Sequence, residues 1–231
     1  MLDKSSLSPS VTADDPPHLP TGGTVLFQGD SITDGGRGRS LDPNHILGHS
    51  YAFLVAARCA ANFPAMGLEF YNRGVSGDRI NRLYDRRQVD ILDLKPDLLS
   101  VLIGVNDAAS AVKHLDEACT PAQFGDQYDR LLQEVTARLP KVQIVLCEPF
   151  FLEDSAKEFG AAMRNAVSDR AAVVKEIAQR YGAPLVRFQD VFHAALHRAP
   201  AAYWAWDGIH PTYAGHQLMA DAWLHTVNSE T

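Results

Sequence analysis

Cysteine is scarce in this 231-residue chain, and the three present, Cys59, Cys119 and Cys147, are widely spaced. An odd count with no paired spacing excludes a disulfide framework and a zinc pattern. Each lies in an apolar or helix-like stretch and is expected as a buried free thiol, which fits a reducing, cytoplasmic setting. No apolar run approaches membrane-spanning length, so no membrane partner is expected. Residues 1–20 also lack the basic segment followed by an apolar one that marks a secretory leader. Basic residues form no run and the formal net charge is -7, which argues against nucleic acid as a partner. The acidity serves solubility and sets no obstacle to an uncharged substrate.

What the chain does have is alternation. Residues 1–22, rich in Ser, Pro, Asp and Thr, read as a flexible N-terminal arm. Residues 23–231 read as one domain. Short apolar runs at Thr24–Gln28, Leu68–Asn72, Leu98–Ile103, Val142–Cys147 and Pro184–Phe188 predict buried strands. Between them lie helical patterns. Tyr51–Ala61 is Ala-rich and apolar. Phe124, Tyr128, Leu131, Leu132 and Val135 share one helical face. Met163, Val167, Val174, Ile177 and Tyr181 share another, and Tyr213–Val227 closes the chain. This order predicts an α/β fold, a three-layer α/β/α sandwich around a five-stranded parallel sheet. Residues 35–50 are expected as a loop after the first strand. Sites in such folds gather beyond the carboxyl ends of the strands.

Three motifs sit at those ends: Gly29-Asp30-Ser31-Ile32-Thr33, Asn72-Arg73-Gly74-Val75-Ser76-Gly77 and Gly104-Val105-Asn106-Asp107. A fourth, Asp207-Gly208-Ile209-His210-Pro211, precedes the last helix. Their residue types suit ester hydrolysis. A serine hydroxyl needs a base within hydrogen-bond reach, and His210 is the candidate base for Ser31. Asp207, three positions earlier, can hold the imidazole in the required tautomer. The backbone N–H groups of Ser31 and Gly74 and the Asn106 amide are candidate donors to the oxyanion. Neither a cofactor nor a metal is expected.

Other residues read more plainly. Ser31 alone would suit a helix N-cap. Asp30 is expected to hold its loop and Asp107 to brace a turn. His45/His49 and His193/His197 have i, i+4 spacing but lack the Glu of a zinc-helix motif. His216 reads as packing or surface. Arg37, Arg39 and Arg73 read as solvated loop charges. Trp206 and Trp204 are candidate substrate-binding residues; core packing is the ordinary fate of tryptophan.

The four motifs together resemble those of the SGNH (GDSL-type) hydrolase superfamily, named for its Ser, Gly, Asn and His. Here these correspond to Ser31, Gly74, Asn106 and His210, over a stretch from about Thr24 to about Leu224. The resemblance implies a flavodoxin-like five-stranded sheet and catalysis by Ser31, His210 and Asp207. Three further segments look like bacterial acetylxylan esterases: Asp34-Gly35-Gly36-Arg37, Leu47-Gly48-His49-Ser50-Tyr51, and Ala205 to Pro211 with Ala214-Gly215-His216. That likeness implies removal of acetyl groups from xylo-oligosaccharides through an acyl-enzyme by a cytoplasmic homo-oligomer. The partner would be a small-molecule or oligosaccharide ester. The alternatives are a lysophospholipase, thioesterase or arylesterase on the same three residues, and a non-catalytic binding module that keeps the fold.

Overall fold

The computed structural model of the protein describes residues 19–40, 42–115, 118–153 and 160–229. The arm expected over 1–22 lies outside the described residues up to position 18. The remainder is held down: Gly22 N–H donates to Met66 O at 2.7 Å, and Leu19 packs on the core.

Five strands form one all-parallel sheet: β1 (Thr24–Gly29), β2 (Glu69–Asn72), β3 (Leu98–Leu102), β4 (Gln143–Cys147) and β5 (Leu185–Val186). Their spatial order is β2-β1-β3-β4-β5, which reverses direction at β1 and opens a crevice beyond the ends of β1 and β3. The helices are α1 (Ser31–Asp34), α2 (Tyr51–Asn62), α3 (Ile80–Asp85), α4 (Val105–Val112), α5 (Pro121–Arg138), α6 (Gly160–Tyr181), α7 (Phe188–Ala195), α8 (Ala201–Trp204) and α9 (Tyr213–Ser229).

The strands are apolar on both faces because both faces are covered. Val25 and Phe27 of β1 join one cluster with Tyr51, Phe188 and Trp223, while Leu26 between them joins Leu83, Tyr128 and Leu131 on the other side. β3 and β4 alternate in the same way, Leu98 and Val145 to the first cluster and Leu99 and Ile144 to the second. One polar side chain in the strands is matched within the core: Ser100 accepts from Trp223 Nε1 at 2.9 Å. The helical patterns follow the same logic. α5 starts on Thr120, whose hydroxyl accepts from Gln123 N–H while Gln123 reaches back, with Pro121 in the first turn. Its buried face is Phe124, Tyr128, Leu131, Leu132 and Val135.

β5 is shorter than the apolar run 184–188, because Phe188 already begins α7. Cys59 and Cys147 are buried free thiols, but Cys119 is only half-buried. It sits in the loop before α5, with Sγ 3.7 Å from Asp107 Oδ1. Among the described residues no helix is long and apolar enough to cross a membrane.

Candidate active site

β1 ends at Gly29, where a Cβ would stand 2.3 Å from Leu102 O and 2.4 Å from Thr33 Oγ1. Only glycine lets the chain turn that closely into α1. Asp30 caps this helix, its Oδ1 accepting from Ile32 N–H at 3.0 Å, so Asp30 points inward and Ser31 is left at the surface of the crevice.

The last motif meets Ser31 there. Ser31 Oγ lies 2.9 Å from His210 Nε2, and His210 Nδ1 lies 2.6 Å from Asp207 Oδ2. Asp207 Oδ1 accepts from the N–H groups of Ile209 and His210 at 2.9 and 2.7 Å. One carboxylate thus folds the loop and orients the ring. Burial alone would raise the Asp207 carboxyl, but the His210 N–H, the His210 ring and the Ile209 N–H outweigh it and hold it below its ordinary value. A charged Asp207 keeps the proton on Nδ1, leaving the Nε2 lone pair for the Ser31 hydroxyl. The loop is fixed from outside by Leu152 N–H to Gly208 O at 2.9 Å and Trp206 N–H to His210 O at 3.1 Å.

The donors around Ser31 differ from expectation at one position. Arg73 and Val75 N–H both point at β1, to Phe27 O at 2.8 Å and Gly29 O at 3.0 Å. N–H directions alternate along such a ladder, so Gly74 N–H points off the sheet edge and is spent on Asn72 Oδ1 at 2.9 Å. A Cβ on Gly74 would lie 2.4 Å from Asp34 N. Gly74 is therefore a packing glycine, and the expectation that it donates to an oxyanion is corrected. Gly77, missed in the sequence, takes the open position: it is exposed, and its N–H makes no hydrogen bond among the described residues. The same holds for Ser31 N–H. Asn106, at the start of α4, gives one amide hydrogen to Asp78 O at 3.1 Å and has a second to offer. The loop bearing Gly77 is clamped to the nucleophile segment, as Ser76 N–H donates to Asp34 Oδ2 at 3.0 Å.

Arg37 is a buried brace rather than a solvated charge, whereas Arg39 stays exposed and Arg73 is half-buried. Arg37 is largely buried and its Nε donates to Gly74 O at 2.9 Å. Arg39 forks onto Asp34 at 3.1 and 2.7 Å. The two tryptophans part company. Trp206 is 63% exposed, its ring stacked on His210 at 5.8 Å between centroids. Trp204 is 6% exposed within the core, its Nε1 donating to Ala199 O at 3.1 Å. This corrects its place among the substrate-binding candidates, since its ring is enclosed by protein.

Behind Ser31 lie three buried carboxyls, Asp30, Asp78 and Asp107. Burial pushes Asp30 up to about 7, with Asp107 and Asp78 adding repulsion against the Ile32 N–H. Burial likewise lifts Asp107 to about 6, against the Ile80 N–H and the Arg170 charge. Asp107 braces the start of α3 through Ile80 N–H at 3.3 Å. His216 is buried, and its Nδ1 accepts from Tyr51 N–H at 3.1 Å, so the ring is kept neutral. Burial, with His49 and His210 nearby, lowers it to about 4. Among the described residues no three side chains form a metal-ligating group. His45 bonds Asp42 at 2.6 Å and His193 bonds Gln189 at 2.9 Å. A cavity of about 390 Å³ opens between β4's following loop and α7, lined by Glu148, Phe151, Leu152, Arg164, Gln189 and His193. None of Ser31, Asp207 and His210 lines it.

Residues 27–218 match the model of the GDSL-like lipase/acylhydrolase family. An acetylxylan esterase of Geobacillus stearothermophilus is 32% identical over 221 residues, which covers 91% of this chain and 96% of that protein. A catalytic mutant of that organism's acetylxylan esterase superposes with a TM-score of 0.82 at 31% identity, over 90% of this chain and 95% of the other. A Parabacteroides merdae protein described as a GDSL-like lipase superposes with a TM-score of 0.87 at 35% identity, over 92% and 99% of the two chains.

Proposed function

Because the chain belongs to the GDSL-like lipase/acylhydrolase family and is thereby a carboxylic ester hydrolase, we propose that it is a serine esterase of acetyl groups on xylo-oligosaccharides or related carbohydrates. The single observation that supports the chemistry is the Ser31–His210–Asp207 relay, with links of 2.9 and 2.6 Å. In this reading His210 Nε2 takes the proton as Ser31 Oγ attacks the ester carbonyl, and Asp207 stabilises the resulting imidazolium. The carbonyl oxygen becomes an oxyanion held by Ser31 N–H, Gly77 N–H and the free Asn106 amide hydrogen. Collapse expels the sugar alcohol, which takes its proton from His210 and leaves acetyl-Ser31. Water, deprotonated by His210, then attacks the acetyl carbonyl, and collapse releases acetate as His210 returns that proton to Ser31 Oγ. No cofactor enters these steps.

The substrate class rests on the acetylxylan esterase likeness and on the character of the crevice. Gly77 and Asn106, which flank Ser31 in this reading, carry no long apolar side chain, which favours a short acyl group. Exposed Trp206 offers an apolar face of the kind on which sugar rings stack.

Acetate release from acetylated xylo-oligosaccharides, acetylated chito-oligosaccharides and cephalosporin C tests this reading. Release is expected from the first, and none from the Ser31→Ala variant, whose melting should match the parent. Faster turnover of p-nitrophenyl octanoate than of the acetate would overturn the short-acyl assignment. Full activity in Ser31→Ala would overturn the mechanism.

A further inference from the structure

We propose that Arg86 is a positioning residue that sets the geometry of the oxyanion donors; this rests on the reading of Ser31, Gly77 and Asn106 above. Arg86 caps the end of α3, and its side chain is only 18% exposed. All three of its nitrogens are used. Nε donates to Asp78 Oδ2 at 2.7 Å. One terminal nitrogen donates to Arg73 O at 2.7 Å, to Gln28 Oε1 at 2.8 Å and to Asp90 Oδ2 at 3.0 Å, so one of its two hydrogens is shared. The other terminal nitrogen donates to Gly29 O at 3.3 Å.

The acceptors come from four segments: the end of β1, the end of β2, the Asp78 turn and the short π-helix Gln88–Leu92, which holds Asp90 one turn after Arg86. Each oxyanion donor stands next to a group in this grip. Ser31 follows Gly29 by two residues. Gly77 adjoins Asp78. Asn106 donates to the backbone carbonyl of Asp78 at 3.1 Å. Gln28, fully buried, closes the arrangement by donating from Nε2 to Asp90 O at 2.8 Å. The sheet ladder already aligns β1 with β2 as far as Phe27 and Asn72. Backbone bonds carry the alignment on to Gly29, through Arg73 N–H to Phe27 O and Val75 N–H to Gly29 O, and Arg86 adds side-chain ties to Arg73 O and Gly29 O at that end. Its charge also offsets Asp78, the one carboxyl of the buried three that it contacts.

A guanidinium suits this task because its five hydrogens point in fixed directions in one plane. Lysine supplies charge without that fork. Oxyanion donors act only when aimed before the reaction begins, and a displacement of about 1 Å can cost roughly 100-fold in rate.

The test measures kcat and KM for p-nitrophenyl acetate, and the affinity for a boronic acid that forms a tetrahedral adduct on Ser31. Arg86→Ala and Arg86→Lys are compared with the parent, well below each melting temperature. In Arg86→Ala kcat is expected to fall about 100-fold with KM within about threefold, and boronate affinity to fall in parallel. Methylguanidinium should restore part of that activity, and Arg86→Lys should stay folded with under about a tenth of the parental kcat. Should Arg86→Ala fail to fold, Asp78→Asn is expected to lower kcat about tenfold while keeping its shape. Folded Arg86→Lys or Asp78→Asn with parental kcat and boronate affinity would overturn the proposal, as would a loss that merely follows the fraction folded. A parent protein inactive on every acyl ester would overturn the functional reading and this inference together. An active parent with indifferent variants overturns this inference alone.

Discussion

His210 Nε2 stands 2.9 Å from Ser31 Oγ across 179 positions of sequence, and the two partners are fixed by unrelated means. Ser31 is fixed by the Asp30 cap. The imidazole is fixed by Asp207, which accepts three hydrogens: two from backbone and one from the ring. In Asp207→Asn the amide oxygen can keep the backbone bonds, so the loop should survive. The amide nitrogen would then face Nδ1 as a donor, and the ring proton would move to Nε2, where Ser31 needs an acceptor. A drop of about 10⁴-fold in kcat is expected, with little change in melting. Steady-state kinetics and circular dichroism check this. Retention of more than a tenth of the activity would show that Asp207 does not set the tautomer.

Asn106 and Gly74 should separate in kind. Asn106→Ala removes a side-chain donor and should cost about 3 kcal/mol of transition-state stabilisation, with KM nearly constant. Gly74→Ala drives a Cβ to 2.4 Å from Asp34 N and should lose stability by about 1–3 kcal/mol or more. Thermal melts and kinetics of both variants distinguish the two effects. A Gly74→Ala protein melting like the parent would refute the close packing assigned to it.

The sheet is legible in the sequence because it is buried on both faces. Val25 to Gln28 and Leu98 to Leu102 read as strands since nothing in them faces water. The Asp207–His210 pair is legible because its spacing is covalent: one turn presents both side chains. What needs the third dimension is less visible. Whether Gly74 or Gly77 offers its N–H depends on which hydrogens the ladder turns toward β1, and that alternation starts from a register the sequence does not display. Arg37 and Arg39 resemble loop charges until Gly74 O and Asp34 are brought to them. Arg86 has no motif, since its acceptors come from four segments. Trp204 and Trp206 differ because Trp204 is still in α8, which packs its ring into the core, while Trp206 lies past the helix end in the loop that carries His210.

The difference in burial between Trp204 and Trp206 has a measurable consequence. Trp206→Ala removes an exposed ring beside His210 and should leave folding intact. Its expected effect is on sugar esters: a loss of about 1 kcal/mol, or roughly fivefold in KM, for acetylated xylo-oligosaccharide, with smaller change for p-nitrophenyl acetate. Trp204→Ala empties a core site and should cost about 3–5 kcal/mol in stability. Equal effects of the two on stability would contradict their placement.

Asp30 links the site to pH. Oδ1 caps α1, while Oδ2 is buried with no hydrogen-bond partner among the described residues. Burial, chiefly, lifts this carboxyl from its ordinary 3.8 to about 7. Between those values the folded protein holds a proton that the unfolded chain releases. The group's contribution is therefore intact below pH 3.8 and lost as pH rises through 7. Asp107, raised to about 6, acts in the same direction. His216, lowered to about 4, acts oppositely, but its window lies between 4 and 6.5, so the range above 6.5 isolates the carboxyls. Asp30→Asn keeps an N-cap oxygen and removes the titration. Its denaturation midpoint should gain on the parent's between pH 6.5 and 8.5. A gap between the two midpoints that stays constant over that range would mean that Asp30 carries no proton in the folded protein near neutrality.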